Sequence, residues 1–156
     1  MKKLIGLKPL TTAMLAFILL TLFSFQQANA QNQLVTVKSA KSFDATIEGI
    51  KKAVSGSGMM VMSELNQGKM LSMTGLSIKA ESLFIGNPNV GKEAFTDNPA
   101  VGLAIPVRLN VYEQNGATYI NYITPSSDLG NFTGNKVKMI GQELDKKMAM
   151  LTGMFK

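Results

Sequence analysis

The sequence predicts an α+β domain, a compact two-layer α/β sandwich in which helices pack on one mixed sheet. Short runs rich in β-branched residues alternate with apolar stripes at helical spacing. An Asn-Gly dipeptide late in the chain marks a hairpin, and an amphipathic stretch follows it. Because each helix must bury its stripe and the sheet must bury a face, the two kinds of element are expected to pack as layers. The domain should therefore close with a C-terminal hairpin followed by a final helix.

The first thirty residues predict a cleaved secretory signal peptide. Lys2, Lys3 and Lys8 precede an apolar run over residues 13–25, and residues 28–30 read Ala-Asn-Ala, a small-x-small cleavage site. The apolar run is shorter than the about twenty residues that a spanning helix needs. We therefore expect residues 1–30 to be removed and residues 31–156 to form a single domain. That domain would be periplasmic or secreted and free of the membrane after cleavage.

Removal of the leader also changes the charge of the chain. Three of its sixteen basic residues leave and none of its ten acidic residues does, so the formal net charge falls from +6 to +3. Arg108 is the single arginine, and no run interleaves basic with aromatic residues. A nucleic-acid partner is therefore not expected.

Two absences from the sequence restrict the chemistry. The chain contains no histidine and no cysteine, which excludes imidazole-based triads, thiolate nucleophiles, disulfides and metal sites built on these residues. No cofactor is predicted. A hydrolase that uses carboxylates and tyrosine is the third of three functional hypotheses. Its candidate pair, Glu93 and Asp97, lies four residues apart on a possible short helix, where a solvated face is the favoured interpretation.

The first half of the domain predicts a strand, a helix and a second strand. Residues 34–37 are β-branched and apolar, and Ser42 is placed as a helix N-cap. The helix ends at residues 56–58 (Gly-Ser-Gly), where glycine can form a left-handed cap. Residues 59–65 form the next strand. The apolar stripe of the helix consists of Phe43, Ile47, Ile50 and Val54.

The middle of the chain is punctuated by turns. Residues 68–75 predict a short helix, and residues 83–85 predict a strand buried on both faces because polar alternation is absent. Residues 86–89 (Gly-Asn-Pro-Asn) form a strong turn signal. Residues 90–96 and 100–104 predict short helical segments.

The hairpin is the sharpest local prediction. Both residues of Asn115-Gly116 can take the positive φ angles that a two-residue type I′ turn needs. If these two form the loop, the cross-strand pairs are Val111 with Ile120, Leu109 with Tyr122, and Tyr112 with Tyr119. One face of the hairpin is then buried, and the face with Tyr112 and Tyr119 meets solvent, a helix or a partner. A final helix over residues 136–155 buries Val137, Ile140, Leu144, Met148 and Leu151.

The ordered motifs between residues 83 and 122 resemble a known bacterial family. They are Phe-Ile-Gly-Asn-Pro at 84–88, Gly91, Asn-Pro at 98–99, Leu-Ala-Ile-Pro at 103–106 and a hairpin that ends in Tyr122. This pattern resembles the family called domain of unknown function 302, over roughly residues 35–124. The family often has Phe where this chain has Ile85. The resemblance implies a compact two-layer α/β sandwich, commonly a dimer, and implies no reaction.

The residues that we select as a ligand-binding site are Gly86, Asn87, Pro88 and Tyr122. The turn follows a buried strand and would present the Asn87 amide to a ligand, and the Tyr122 hydroxyl could orient that ligand. The simpler interpretations are favoured for both: Gly, Asn and Pro serve the turn itself, and Tyr122 is a core residue with one satisfied hydrogen bond.

Closely spaced methionines suggest a second site. Met60, Met62, Met70 and Met73 offer thioethers, which are soft ligands suited to Cu(I) or Ag(I) in an exported protein. Methionine also fills irregular cores, and core packing is the favoured interpretation.

The favoured function is a non-enzymatic, exported domain that binds a small ligand or interacts with a protein. The sequence does not identify that ligand or partner, and a homodimer is expected. This hypothesis predicts either an apolar pocket or a flat dimer surface on the face with Tyr112 and Tyr119, and no cluster of carboxylates with perturbed pKa values. Soft-metal binding by methionines is the alternative.

Overall fold

The computed structural model describes residues 34–156, so the predicted signal peptide and its cleavage site lie outside the described residues. The five strands are β1 (Leu34–Lys38), β2 (Met60–Leu65), β3 (Ala80–Gly86), β4 (Val107–Gln114) and β5 (Ala117–Ile123). The α-helices are α1 (Phe43–Gly56), α2 (Gln67–Ser72), α3 (Pro88–Asp97), α4 (Pro125–Leu129) and α5 (Asn135–Gly153), and a 3-10 helix spans Pro99–Leu103.

The strands form one five-stranded sheet in the order β1-β5-β4-β3-β2. Every neighbouring pair is antiparallel. The α+β class and the packing of helices on one sheet are therefore confirmed, but the expectation of a mixed sheet is wrong. The connections explain the difference. The crossover from β1 through α1 leads to β2 at the opposite edge of the sheet, so these two strands run the same way but are not neighbours.

The long helices α1 and α5 supply one layer of the core. The predicted stripe of α1, which includes Ile50 and Val54, is buried, and so is the predicted stripe of α5, which includes Val137 and Met148. Both stripes belong to one apolar core with Leu109 of β4. Helical periodicity therefore identified the packed face of both helices correctly.

The hairpin has the predicted turn and register. Asn115 and Gly116 have φ angles of 52° and 74°, as a type I′ turn requires. Val111 pairs with Ile120 and Tyr112 pairs with Tyr119. The face that points to the helices is buried, and it carries Leu109, Val111, Ile120 and Tyr122.

Three local expectations need correction. Ser42 holds the N-cap position of α1, but its side chain makes no capping hydrogen bond. The segment after the Gly-Asn-Pro turn is one ten-residue helix, α3, rather than a turn or two. Phe84 is only half-buried, because helices α1 and α5 pack on one face of the sheet and leave the face with Phe84 without them. Helix α4 was not anticipated.

Candidate functional site

A small apolar cavity lies where β3 ends and β4 begins. Its volume is about 150 Å³. Helix α3 contributes one wall, Met62 of β2 contributes another, and Leu144 of α5 lies at its base on the helix side of the sheet. The lining residues are Met62, Ile85, Gly86, Asn87, Val90, Gly91, Phe95, Ile105, Pro106, Val107 and Leu144. The motifs at 84–88, Gly91 and 103–106 thus meet around one space, although nearly twenty residues separate the first from the last.

Position 86 requires glycine because a larger residue would crowd Met62 and Pro106. A Cβ atom at this position would lie 3.0 Å from Cε and 3.3 Å from Sδ of Met62, and 3.5 Å from Cβ of Pro106. The φ angle of Gly86 does not lie in the left-handed region. The residue therefore serves close approach between strand and side chain rather than an unusual backbone conformation.

Asn87 caps α3 and ties it to the loop before β2. Its Oδ1 accepts the backbone N–H groups of Asn89 at 2.8 Å and Val90 at 3.4 Å. Its Nδ2 donates to the carbonyl of Gly58 at 2.7 Å. Pro88 follows as the first residue of α3, where its missing N–H costs nothing. Both ends of the amide are therefore engaged in holding the cavity wall.

Asn98 makes the same two kinds of hydrogen bond, a helix cap and a tertiary contact. Its Oδ1 accepts the N–H of Ala100 at 3.0 Å, and its Nδ2 donates to the carbonyl of Thr133 at 3.0 Å. In both Asn-Pro dipeptides, the asparagine caps a helix and connects it to a distant backbone carbonyl. The turn interpretation of Asn87 has direct geometric support, and the residue still lines the cavity.

The cavity is suited to an apolar occupant. None of its lining residues has an ionisable side chain, and aliphatic, aromatic and thioether groups predominate. Asn87 supplies the single side-chain amide of the lining, and that amide already has its partners. Such a space offers shape and apolar contact rather than groups for proton transfer.

Tyr122 lies away from this cavity's lining. It is 5% exposed and faces the helix layer, where its hydroxyl hydrogen-bonds with Thr152. Burial raises the pKa of Tyr122, the hydrogen bond with Thr152 opposes that rise, and the charge of Asp145 adds to it. The structure therefore brings Gly86 and Asn87 together at the cavity, with Pro88 behind them, and leaves Tyr122 in the core.

The methionines are mostly at the surface. Of the nine that follow residue 31, Met59 and Met148 are buried and seven are exposed. The core interpretation is therefore wrong for most of them. The exposed set is Met60, Met62, Met70, Met73, Met139, Met150 and Met154.

The four methionines proposed as a soft-metal site are not brought to one place. Met60 pairs with Gly86 at the end of β3, whereas α2, which carries Met70, packs at the start of β3 through the hydrogen bond from Gln67 to Ser82. Four residues of extended strand separate these contacts, a length of roughly 13 Å. Thioether ligands must share one ion, and this spacing keeps the two pairs apart.

The carboxylates considered for hydrolysis have structural partners. Asp97 accepts the N–H of Val137 at 3.1 Å at the start of α5. Glu93 forms an exposed ion pair with Lys136 at 3.4 Å. These contacts connect α3 to α5. Glu93 also lines a cleft of about 200 Å³ between the two helices with Glu143 and Lys147, whereas Asp97 does not.

The structure reveals a different pair of carboxylates, Glu64 and Glu81, so the expectation of no cluster of carboxylates with perturbed pKa values is wrong. Lys51 of α1 contacts Glu64 at 2.8 Å, and Asn66 donates to Glu81 at 2.9 Å. Burial raises the pKa of Glu81, Lys51 lowers it, and the neighbouring Glu64 raises it further. None of these residues lines the apolar cavity. Seventeen residues separate the two glutamates on adjacent antiparallel strands, so no short-range pattern could reveal them.

The sheet face opposite α1 and α5 carries a hydrogen-bonded polar row. Asn110 donates to Asn121 at 3.0 Å, and Ser82 contacts Asn110 at 3.3 Å. Gln67 and Arg108 both donate to the Ser82 hydroxyl, at 2.6 Å and 3.1 Å. A concave surface of about 680 Å³ lies over this row.

Apolar side chains surround this polar row. Leu103 is 90% exposed, Leu34 is also exposed, and the rings of Tyr112 and Tyr119 stack with centroids 5.4 Å apart. The open face therefore combines a largely hydrogen-bonded polar row, in which Gln67 Oε1 has no partner among the described residues, with apolar margins.

Fold and site together define a class: a small α+β domain with an antiparallel sheet, one helix layer and an apolar cavity at the Gly-Asn-Pro turn. The sequence model of the domain of unknown function DUF302 matches residues 35–153. The chain belongs to this family.

A solved structure has the same fold. It is an uncharacterized conserved DUF302 protein from Bacillus stearothermophilus, with a TM-score of 0.74 and 24% sequence identity, and the match covers 79% of this chain and 98% of that one. At this identity the similarity establishes the fold alone.

Fluoride-specific ion channels from Brucella also match part of the sequence. FluC 1 of Brucella suis biovar 1 and FluC 1 of Brucella abortus biovar 1 are each 30% identical over 95 residues, 60% of this chain. The matched part spans 37% and 35% of those channel proteins, little more than a third of their length. Within residues 34–156, no helix has the length and apolar character needed to cross a bilayer.

Proposed function

We propose that this protein is an exported, non-enzymatic domain that binds a small apolar molecule in the cavity beside the Gly-Asn-Pro turn. The observation that carries the proposal is the convergence of Gly86, Asn87, Gly91 and Pro106 on an apolar space. Export rests on the leader over residues 1–30. The chemistry of the lining supports binding, because it offers contact surface and no ionisable group.

The volume of the cavity limits the size of the ligand. A protein cavity of about 150 Å³ with aliphatic and aromatic walls stays dry and accepts a molecule the size of benzene. The cavity here has that volume and a similar lining, but it is partly open to solvent, because Met62 and Phe95 are exposed. The expected ligand is therefore a single aromatic ring or a short branched hydrocarbon chain, without a charged group that would need a partner inside.

A matched pair of glycine variants tests this proposal. Gly91 lines the cavity, and a Cβ atom added there meets no neighbour within 4 Å, which is also true of Gly153 at the end of α5. Gly91→Leu should fill the cavity wall and abolish the rise in melting temperature that benzene causes in the native protein. Gly153→Leu should leave that rise unchanged. If benzene fails to stabilise the native protein, or if both variants respond like it, cavity binding is ruled out.

We also propose that the open sheet face is the surface of a homodimer. The exposed Leu34 and Leu103 supply apolar contact at its margins, and its polar row is largely hydrogen-bonded internally, although Gln67 Oε1 of the row has no partner among the described residues. Light scattering should give the mass of a dimer. Leu103→Glu should shift that mass to the monomer, whereas Met139→Glu, a change of another exposed apolar residue, on α5, should not. A native protein that stays monomeric at high concentration would contradict the dimer.

We do not propose ion conduction for this protein, because the matched region covers only about a third of each channel protein. Soft-metal binding remains a hypothesis without a cluster of methionines behind it among the described residues. Hydrolysis also remains a hypothesis, because the two carboxylates that share a cleft with Lys147, Glu93 and Glu143, are both exposed. Apolar binding is the function that the geometry supports best.

A further inference from the structure

Met62 occupies an irregular position in the sheet. Val61 pairs with Ile85 and Ser63 pairs with Phe84, so the register shifts between them and Met62 is the extra residue of a bulge. A bulge turns a side chain away from the direction that strand alternation would give it. The thioether of Met62 lies against Gly86, with Sδ 3.3 Å from the point where a Cβ would stand. Met62 is also one of the residues that line the apolar cavity.

The same side chain is accessible from outside. Met62 is 43% exposed, whereas Met59 and Met148 are buried. Oxidation of methionine by peroxides depends on the access of the oxidant to the sulfur. Among the methionines of residues 34–156, Met62 is the one that both lines this cavity and meets solvent.

We propose that Met62 is an oxidation site that controls access of the apolar ligand to the cavity; this inference rests on the proposed function. The oxidant is a peroxide. A lone pair of the Met62 sulfur attacks one peroxide oxygen, the O–O bond breaks and an S–O bond forms. The products are methionine sulfoxide, in which sulfur is oxidised by two electrons, and, from hydrogen peroxide, one molecule of water.

The consequence follows from the chemistry of the lining. A sulfoxide is a strong hydrogen-bond acceptor with a large dipole, and an apolar ligand that covers it removes its water without replacing it. The single amide nearby, that of Asn87, already donates to Gly58. Binding of benzene would remove water from the sulfoxide oxygen without giving it another hydrogen-bond donor. The affinity of the protein for benzene should therefore fall by roughly tenfold or more.

The experiment uses the full exported protein and benzene as the probe. Hydrogen peroxide is added in steps, peptide mass spectrometry gives the fraction of sulfoxide at each methionine, and benzene affinity is measured by NMR titration. Affinity should fall in proportion to oxidation at Met62 and return after treatment with methionine sulfoxide reductases and a dithiol. Met62→Gln, which places a polar side chain at the same point, should bind weakly without oxidant.

Met62→Leu is the matched control, since it keeps the wall apolar and cannot be oxidised. Its benzene affinity before oxidation is the reference, and it should keep that affinity in peroxide while Met73, which is 83% exposed, is fully converted. The inference is wrong if oxidised Met62→Leu loses affinity as the native protein does. It is equally wrong if Met62 stays reduced, or becomes a sulfoxide without a change in affinity. In each of those cases reduced protein still binds and the proposed function stands, whereas failure of reduced protein to bind benzene overturns both.

Discussion

The side-chain amide of Asn87 donates to the carbonyl oxygen of Gly58 at 2.7 Å, across 29 residues of sequence. The same side chain caps α3 through Asn89 and Val90. One residue therefore fixes the start of α3, the loop before β2 and the rim of the apolar cavity. The Gly-Asn-Pro motif is therefore a structural clamp, and the apolar cavity lies beside the elements that this clamp joins.

Replacing Asn87 should destabilise the protein measurably. Asn87→Ala removes a helix cap, worth about 1 kcal/mol, and a tertiary hydrogen bond, worth about 0.5–1.5 kcal/mol. We expect a loss of about 1–3 kcal/mol in the free energy of unfolding, measured by urea denaturation. Asn89→Ala, an exposed change on the same helix, is the control and should cost little. Equal stability of the two variants would show that the clamp contributes nothing.

Substitution of Gly141 and Gly153 on α5 by alanine should change the stability of the protein in opposite directions. A Cβ at Gly141 would lie 2.9 Å from the Cα of Ser126 in α4, whereas a Cβ at Gly153 meets nothing within 4 Å. Alanine favours helix over glycine by up to about 1 kcal/mol, but overpacking against backbone costs about 1–3 kcal/mol. Gly141→Ala should therefore lower the melting temperature and Gly153→Ala should not. A gain in stability at Gly141 would contradict the tight approach of α4 and α5.

Glu81 should make stability depend on pH. Burial raises the pKa of Glu81 in the folded protein, with Lys51 opposing and Glu64 adding to that rise. Between the ordinary pKa and the raised one, the folded protein binds more protons than the unfolded chain, so stability falls as pH rises through that window. The destabilisation then persists at neutral pH, where the buried carboxylate is charged.

Glu81→Gln should remove this dependence. Its side-chain oxygen can still accept the hydrogen bond from Asn66. Relative to the native protein, the variant should gain stability at neutral pH and lose that advantage below the ordinary pKa of glutamate. Urea denaturation at several pH values provides the measurement. An advantage that grows as the pH falls would reverse the sign and refute this account of Glu81.

Tyr122 should matter for stability and not for binding. Tyr122→Phe removes the hydroxyl that hydrogen-bonds with Thr152, at a cost of about 0.5–1.5 kcal/mol. Benzene affinity should be unchanged, because Tyr122 does not line the apolar cavity. Tyr112→Phe, on the open sheet face, is the control for stability. A large loss of benzene affinity in Tyr122→Phe would restore Tyr122 to the ligand site.

The parts of the fold that follow from neighbours in sequence were predictable. The turn at Asn115-Gly116 sets its own register, since two positive φ angles leave few alternatives. The stripes of α1 and α5 repeat within each helix, so their buried faces could be identified without a partner. The antiparallel arrangement of all five strands was not predicted, because the sequence of a short strand does not determine which strand it will pair with.

The candidate site was predictable only in part. Gly86 and Asn87 were selected as turn residues, and both line the cavity. Met62 and Leu144 complete it from β2 and α5, and no local pattern connects residues so far apart in the chain. Composition also misled, because methionine is apolar enough to suggest a core while seven of these side chains lie at the surface. Long-range packing decides such positions.

Methyl NMR of the native protein during a benzene titration tests the central claim most directly. The account predicts saturable shifts at the methyl groups of Ile85, Val107 and Leu144, which line the apolar cavity, and no comparable change at Leu34 or Leu103 on the open face. Absence of saturable shifts at the cavity methyl groups, or saturation confined to the open face, would contradict it.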